Sequence, residues 1–192
     1  MFPLFDEGLV TASPFGLQMC QNRLAVPTWS YAMERLPPSQ IVEIGSGTGG
    51  FTTALGVHAY HLGAKIVSYE RDVVNASELS RFLGITFRDQ VDAWTCVDEI
   101  TELIQRPGRS YVLCDGGDKP REFATFAAFL KPGDVIAAHD YVANEALPWG
   151  LRPWPWSEIR QTDAAPAVER HGLSPWLQEA FDMAGWLVFK KV

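Results

Sequence analysis

The chain has 192 residues, of which 47% are hydrophobic and 20% charged, with a formal net charge of −7. That length can enclose a full hydrophobic core, and the ordinary composition excludes a disordered or fibrous chain. The acidic balance, with no run of Lys or Arg against it, argues against a nucleic-acid backbone as the main partner.

The first residues, "MFPLFDEGLV", carry early acids and no basic region, which is not the pattern of a secretory signal. No apolar run reaches the length of a membrane span. Cys20, Cys96 and Cys114 are odd in number and widely spaced, with no CxxC pair. This predicts a reducing compartment without a disulfide framework, and hence a cytoplasmic protein with no membrane partner. Cys96 and Cys114 lie in apolar runs and read as small core residues.

Short apolar runs at Ile41–Ile44, Ile66–Tyr69, Val91–Cys96, Tyr111–Cys114 and Asp134–Ala138 read as strands. Helical patterns lie between them, over 51–62, 73–83, 99–105 and 119–130. Asp72 and Asp98 stand where helix N-caps would stand. "KPGD", at 131–134, is a turn before the next strand. After residue 145 the pattern changes. "LPWGLRPWPWSEIR" cannot be a regular helix, because its prolines remove donors. "SPWLQEAFDMAG" then reads as a short helix and "GWLVFKK" as a final buried strand.

Strand and helix alternating at this spacing predict βαβ units with right-handed crossovers. The expected fold is α/β and Rossmann-like: a doubly wound, mostly parallel seven-stranded sheet, helices on both faces and a C-terminal antiparallel strand. One domain would span 1–192, with a helical lead-in over 1–40 and a Trp/Pro-rich, acceptor-side segment over 145–175. In such sheets ligands bind beyond the carboxyl ends of the strands. Those ends carry Glu43 to Gly50, Glu70, Asp98, Asp115 and the pair His139/Asp140. Acids at successive strand ends are a more specific signal than any one of them.

"IVEIGSGTGG" follows a strand and opens a helix. Gly45, Gly47 and Gly50 satisfy GxGxxG, a weak dinucleotide signal when alone. Glu43, however, occupies a position that is apolar in dinucleotide folds, and a carboxylate there suits a ligand with a positive amino group. Glu70 ends the second strand, where an acid accepts from two ribose hydroxyls. "VEIGSGTGG" together with "SYERD" resembles the class I S-adenosylmethionine-dependent methyltransferases over roughly residues 20 to 140. The resemblance implies S-adenosylmethionine as cofactor. Glu43 would lie near its amino group, and Gly45, Ser46, Gly47 and Gly49 would form the cofactor turn. Glu70 and Arg71 would lie at the ribose, Asp98 near the adenine, and Asp115 at the cofactor's edge.

"YVLCDGGDKPREF" and "LKPGDVIAAHDY" supply neighbouring strand ends, and parallel neighbours lie about 5 Å apart. Asp115, His139 and Asp140 can therefore converge. Two carboxylates and an imidazole can hold a divalent ion, Mg²⁺ or Mn²⁺ by oxygen content, or a softer metal through the imidazole. The layout is similar to metal-dependent O-methyltransferases, nearest the cephalosporin hydroxylase, rhamnosyl and macrocin O-methyltransferase group. His139 departs from that group, which places Asp or Glu there. Asp115, Lys119 and His139 are the catalytic candidates. Lys119 reads either as a base whose pKa a neighbouring cation lowers, or as a solvated Lys in a helix's first turn. His58 and His61 read as structural or surface residues, and His171 as a residue able to reach the substrate side. Trp149, Trp154 and Trp156 would form either an aromatic wall for the acceptor or packing against the sheet.

The function this resemblance implies is methyl transfer to a hydroxyl of a small molecule, with or without metal assistance and with a homo-oligomer left open. The alternatives are a nitrogen or macromolecular acceptor, a hydroxylase-like or non-catalytic cofactor binder, and an NAD-dependent oxidoreductase. The absence of an "NPPY" loop after the fourth strand disfavours nucleobase amino groups.

Overall fold

In the computed structural model, residues 16–74, 76–147, 152 and 156–192 are described, together with the backbone of 9–10. Seven strands form one sheet: β3 (Gln40–Ile44), β4 (Lys65–Tyr69), β5 (Thr86–Arg88), β6 (Ser110–Cys114), β7 (Val135–Ala138), β8 (Leu173–Pro175) and β9 (Leu187–Lys191). Their order is β5-β4-β3-β6-β7-β9-β8. The first five are parallel, and β9 runs antiparallel to both β7 and β8. Two-residue strands β1 (Leu9–Val10) and β2 (Gln21–Asn22) pair antiparallel outside this sheet. The expected architecture is therefore present. The lead-in holds helix α1 (Ala25–Arg35), and before it a strand pair that was not expected.

Residues alternate along each strand, so one buried set faces each way. Val42, Ile44, Val112, Cys114, Ile136 and Ala138 meet Phe123 and Phe126 of α5 (Lys119–Ala127) and Ile100, Leu103 and Ile104 of α4 (Val97–Gln105). Ile41, Tyr111, Leu113, Val135 and Ala137 face Trp29 and Met33 of α1, Phe51 and Leu55 of α2 (Gly50–His61), and Phe181 of α7 (Gln178–Ala184). β3 and β6 are buried throughout, as central parallel strands must be when helices cover both faces.

Three sequence expectations shift. The third strand is Thr86–Arg88, not Val91–Cys96; the later stretch forms a 3-10 turn, Ala93–Thr95, that leads into α4. Helix α3 (Glu78–Phe82) is shorter than the expected 73–83 and is capped by Ser77, not Asp72. Asp98 lies inside α4, whose N-cap position is Cys96. A further helix, α6 (Gln161–His171), fills the segment after the Trp/Pro run. Trp149 and Trp154 lie outside the described residues, and Trp156 is half-buried. Cys114 is buried as expected, whereas Cys96 is half-buried. Among the described residues no helix is long and apolar enough to cross a membrane.

Candidate active site

The site follows from strand register. Ile44 pairs with Tyr69 and with Cys114, and Cys114 pairs with Ala138. The residues that come next, Glu70, Gly45, Asp115 and His139, therefore stand side by side at one edge of the sheet. Backbone bonds continue the ladder one step further: Gly45 N donates to Tyr69 O at 2.8 Å, Asp115 N to Ile44 O at 2.8 Å, and His139 N to Cys114 O at 3.0 Å. This edge contains the point where strand order reverses, between β3 and β6, the ligand position of open α/β sheets.

Gly45 and Asp115 touch through their backbones. A Cβ at Gly45 would lie 2.2 Å from the Asp115 carbonyl oxygen, and φ there is +85°. Glu70 closes the loop from the other side: its Oε2 accepts from Gly47 N at 2.7 Å and its Oε1 from Arg71 N at 2.7 Å.

Two cavities meet at this loop. One, of about 250 Å³, is lined by Gln18 to Gln21, Glu43, Gly45 to Thr48, Phe51 and Asp115. The other, of about 470 Å³, runs past Glu70, Arg71, Val91 to Trp94, Asp115 to Lys119, Glu122 and Glu158. Glu43 is 1% exposed, and its Oε2 accepts from Thr52 Oγ1 and Ser68 Oγ, each at 2.6 Å. Burial pushes its carboxyl up to about 7, against those two donors. The Ser46 hydroxyl is buried beside it without a hydrogen-bond partner among the described residues. An unused donor and a buried acid in one small cavity suit a zwitterionic amino-acid group. Asp98 is exposed and lines neither cavity; Val91 to Trp94, which follow the relocated third strand, line the larger one.

Asp115, His139 and Asp140 come together as the sequence suggested, each offering an atom within 4.8 Å of the others. His139 Nδ1 lies 3.0 Å from Asp115 Oδ1 and 3.3 Å from Asp140 Oδ1. Three atoms that each bear a lone pair sit this close only with a proton or a cation among them. Desolvation raises the Asp115 carboxyl, with His139 pulling the other way. His139 and Asp140 are 2% and 6% exposed and lie behind Asp115, away from both cavity walls. Asp140 adopts a left-handed φ of 56°, an uncommon backbone state for a residue other than Gly.

Lys119 is not solvated. It is 4% exposed, and its Nζ donates to Asp140 Oδ2 and Glu158 Oε2 at 2.7 Å each and to Gly116 O at 2.9 Å. All three ammonium hydrogens are engaged. Burial alone would lower this ammonium, yet the carboxylates of Asp115 and Asp140 and the bonds to Asp140 and Glu158 carry it above the usual Lys range. Lys119 faces three carboxylates, those of Asp115, Asp140 and Glu158. One ammonium cannot balance that many carboxylates when all are ionised, and a bound divalent ion would supply the missing positive charge.

Sequence reasoning missed Glu158, whose segment is obscured by prolines, and Gln21, an uncharged side chain far from the other site residues. Gln21 Nε2 donates to Asp115 Oδ2 at 2.9 Å and lies 3.4 Å from His139 Nδ1. Trp186, also unremarked, lies opposite His139, because the pairing of Ala138 with Leu187 extends one residue further. The two rings lie 4.8 Å apart. His58 pairs with Glu34 at 3.1 Å on the surface, and His171 ends α6; neither joins the site.

No protein-family model and no curated protein matches the sequence. Solved structures do match. CmcI with SAH aligns with a TM-score of 0.64 at 16% identity, over 100% of this chain and 87% of its own. CmcI with Mg and SAM gives 0.63 at 18%, over 92% and 75%. A Klebsiella pneumoniae protein provisionally described as an O-methyltransferase gives 0.58 at 17%, over 100% and 90%. The chain therefore has the Rossmann-like methyltransferase fold, with its glycine loop and acid-tipped strands gathered at that fold's ligand-binding edge.

Proposed function

We propose that the protein is an S-adenosylmethionine-dependent methyltransferase acting on a hydroxyl of a small molecule, with a divalent cation held at Asp115, His139 and Asp140. The observation that carries this is the Glu43 cavity: a buried acid and an unpartnered Ser46 hydroxyl beside a glycine turn that leaves no room for a side chain at Gly45. The methionine end of the cofactor would lie there. Glu43 would accept from its ammonium and Ser46 would donate to its carboxylate. Glu70, with Arg71 beside it, would take the ribose, and Val91 to Trp94 would border the adenine. NAD has no ammonium for Glu43, and the buried carboxylate would then face a ligand that cannot neutralise it.

The reaction is a substitution. An acceptor oxygen forms a bond to the methyl carbon, the carbon–sulfur bond breaks, its electron pair returns to sulfur, and the oxygen's proton leaves. A bound cation would hold the acceptor oxygen and lower its pKa. The chain's part is positioning. The backbone contact between Gly45 and Asp115 joins the cofactor turn to the acceptor side. Lys119, held by Glu158, fixes Asp140. Its three engaged hydrogens give it the part of an anchor rather than a proton acceptor. CmcI, of the same fold, has been solved with Mg and SAM, which supports this donor set as a cation site.

The experiment is calorimetry with S-adenosylmethionine, S-adenosylhomocysteine and NAD, followed by methyl transfer from labelled cofactor to hydroxylated acceptors with and without Mg²⁺. Binding of the first two alone is expected. Binding of NAD instead would return the protein to the oxidoreductases.

A further inference from the structure

We infer that Gln21 is a positioning residue for the cation site, turning Asp115 and the His139 ring so that three donor atoms face one point. This rests on the proposed cation-assisted reading and extends it to a residue in the N-terminal segment.

The amide's orientation is fixed by chemistry. Trp186 Nε1 donates to Gln21 Oε1 at 3.1 Å, and an indole can only donate, so the oxygen of Gln21 must face Trp186. Its NH₂ must then face the other way, toward Asp115 Oδ2 at 2.9 Å and His139 Nδ1 at 3.4 Å. One amide hydrogen holds the outer oxygen of Asp115 and leaves Oδ1 turned to the imidazole. The second faces Nδ1, which favours a lone pair rather than a hydrogen on that nitrogen. Nδ1 with a lone pair, 3.0 Å and 3.3 Å from two carboxylate oxygens, is the arrangement of a cation ligand.

Asp140 is treated in the same way from the opposite side. Lys119 holds its Oδ2 at 2.7 Å and leaves Oδ1 toward the imidazole. Both carboxylates thus have the outer oxygen held by a donor and the inner one presented. Trp186 completes the frame, its ring against the His139 ring at 4.8 Å. Gln21 is 2% exposed and Trp186 0%, so both side chains are held within the protein. Outer donors of this kind set metal affinity by about 10–100-fold.

Gln21 carries no charge, so replacing it removes the two amide contacts and leaves the net charge of the site unchanged. Wild-type and Gln21→Met proteins are titrated with Mn²⁺ by electron paramagnetic resonance and with S-adenosylmethionine by calorimetry. Gln21→Met should bind Mn²⁺ about 10–100-fold more weakly, with a changed bound-ion line shape. Trp186→Phe keeps a ring beside His139 but frees the amide to flip, and should weaken Mn²⁺ several-fold. It carries the test if Gln21→Met does not fold. Equal Mn²⁺ affinity in the variants and the wild type, or no Mn²⁺ binding by a wild type that binds the cofactor, overturns the inference and leaves the cofactor assignment standing. A wild type that binds Mn²⁺ but not S-adenosylmethionine overturns the cofactor assignment instead, and the variants still decide the role of Gln21.

Discussion

Gly45 and Asp115 are in backbone contact: a Cβ on the glycine would stand 2.2 Å from the carbonyl oxygen of the aspartate. The turn proposed for the cofactor and the head of the proposed cation site are thus one rigid unit rather than two neighbouring features. Gly45→Ala should break both. The added methyl group cannot fit without moving the 115–116 backbone, and φ of +85° is unfavourable for alanine as well. A stability loss of at least ~2 kcal/mol is expected in urea denaturation, with S-adenosylmethionine binding reduced more than tenfold. Gly47→Ala is the control. A Cβ there meets no protein atom within 4 Å, so the fold bears only the backbone cost at φ +52°; because Gly47 lines both cavities, urea denaturation is the measurement it controls.

Lys119 joins α5 to the β7 end and to Glu158, and its loss should be felt in stability before activity is considered. Lys119→Met leaves the buried Asp140 carboxylate without its ion partner. Removing one member of a buried pair costs about 3 kcal/mol or more. Glu158 is 46% exposed at its side chain, so Glu158→Gln should cost under about 1 kcal/mol. Urea midpoints of the two variants compare these directly. Equal losses would mean that the ion pair is not the buried anchor described above.

Asp115→Asn keeps the side chain's shape and an acceptor oxygen for Gln21, but removes the charge that a cation needs. Stimulation of methyl transfer by Mg²⁺ should fall by at least tenfold, and S-adenosylmethionine affinity should change much less. Undiminished stimulation would place the ion elsewhere. His139→Gln should fail in the same way, because the imidazole nitrogen lies between both carboxylates.

The parts of this molecule that could be read in the sequence are those where one physical requirement dominates. Ile41–Ile44 and Tyr111–Cys114 are buried on both faces, so an unbroken apolar run announces them. Thr86–Arg88 was misplaced because it is a three-residue strand at the sheet's edge with half-buried Phe87 between two exposed residues, while the more apolar "VDAWTC" beside it forms a turn. That single shift puts Asp98 away from both cavities and Val91 to Trp94 along the larger one. Helix α6 was unseen because Pro166 lies inside it and only Ala164 and Ala167 are buried on its face. The convergence of Asp115, His139 and Asp140 was legible from strand order alone, since equal register brings successive strand ends together. Gln21 was not, because nothing local distinguishes a glutamine whose partners lie 94 and 165 residues away.

Stability should fall as pH rises from about 4.5 to about 7, and Glu43 should account for much of the fall. Its carboxyl is pushed from an ordinary 4.5 up to about 7 by burial, and Glu122 is pushed to about 7 for the same first reason. Between pH 4.5 and 7 the unfolded chain has lost these protons while the folded chain still holds them. The folded state therefore binds more protons in that window, and its stability decreases as pH increases. Below 4.5 both states are protonated and the contribution is fully present; above 7 both are ionised and it is lost. A shift of this size corresponds to about 3 kcal/mol per carboxyl. Glu43→Gln imitates the protonated form and still accepts from Thr52 and Ser68. Below pH 4.5 it should match the wild type, and at pH 8 it should be the more stable protein by a few kcal/mol in urea denaturation. Cofactor binding should run the opposite way in the wild type. Only the ionised Glu43 attracts an ammonium, so S-adenosylmethionine affinity should rise as pH passes through 7, and in Glu43→Gln it should be weak and independent of pH over that range. A variant that retains the wild-type pH profile of binding would show that another group receives the ammonium.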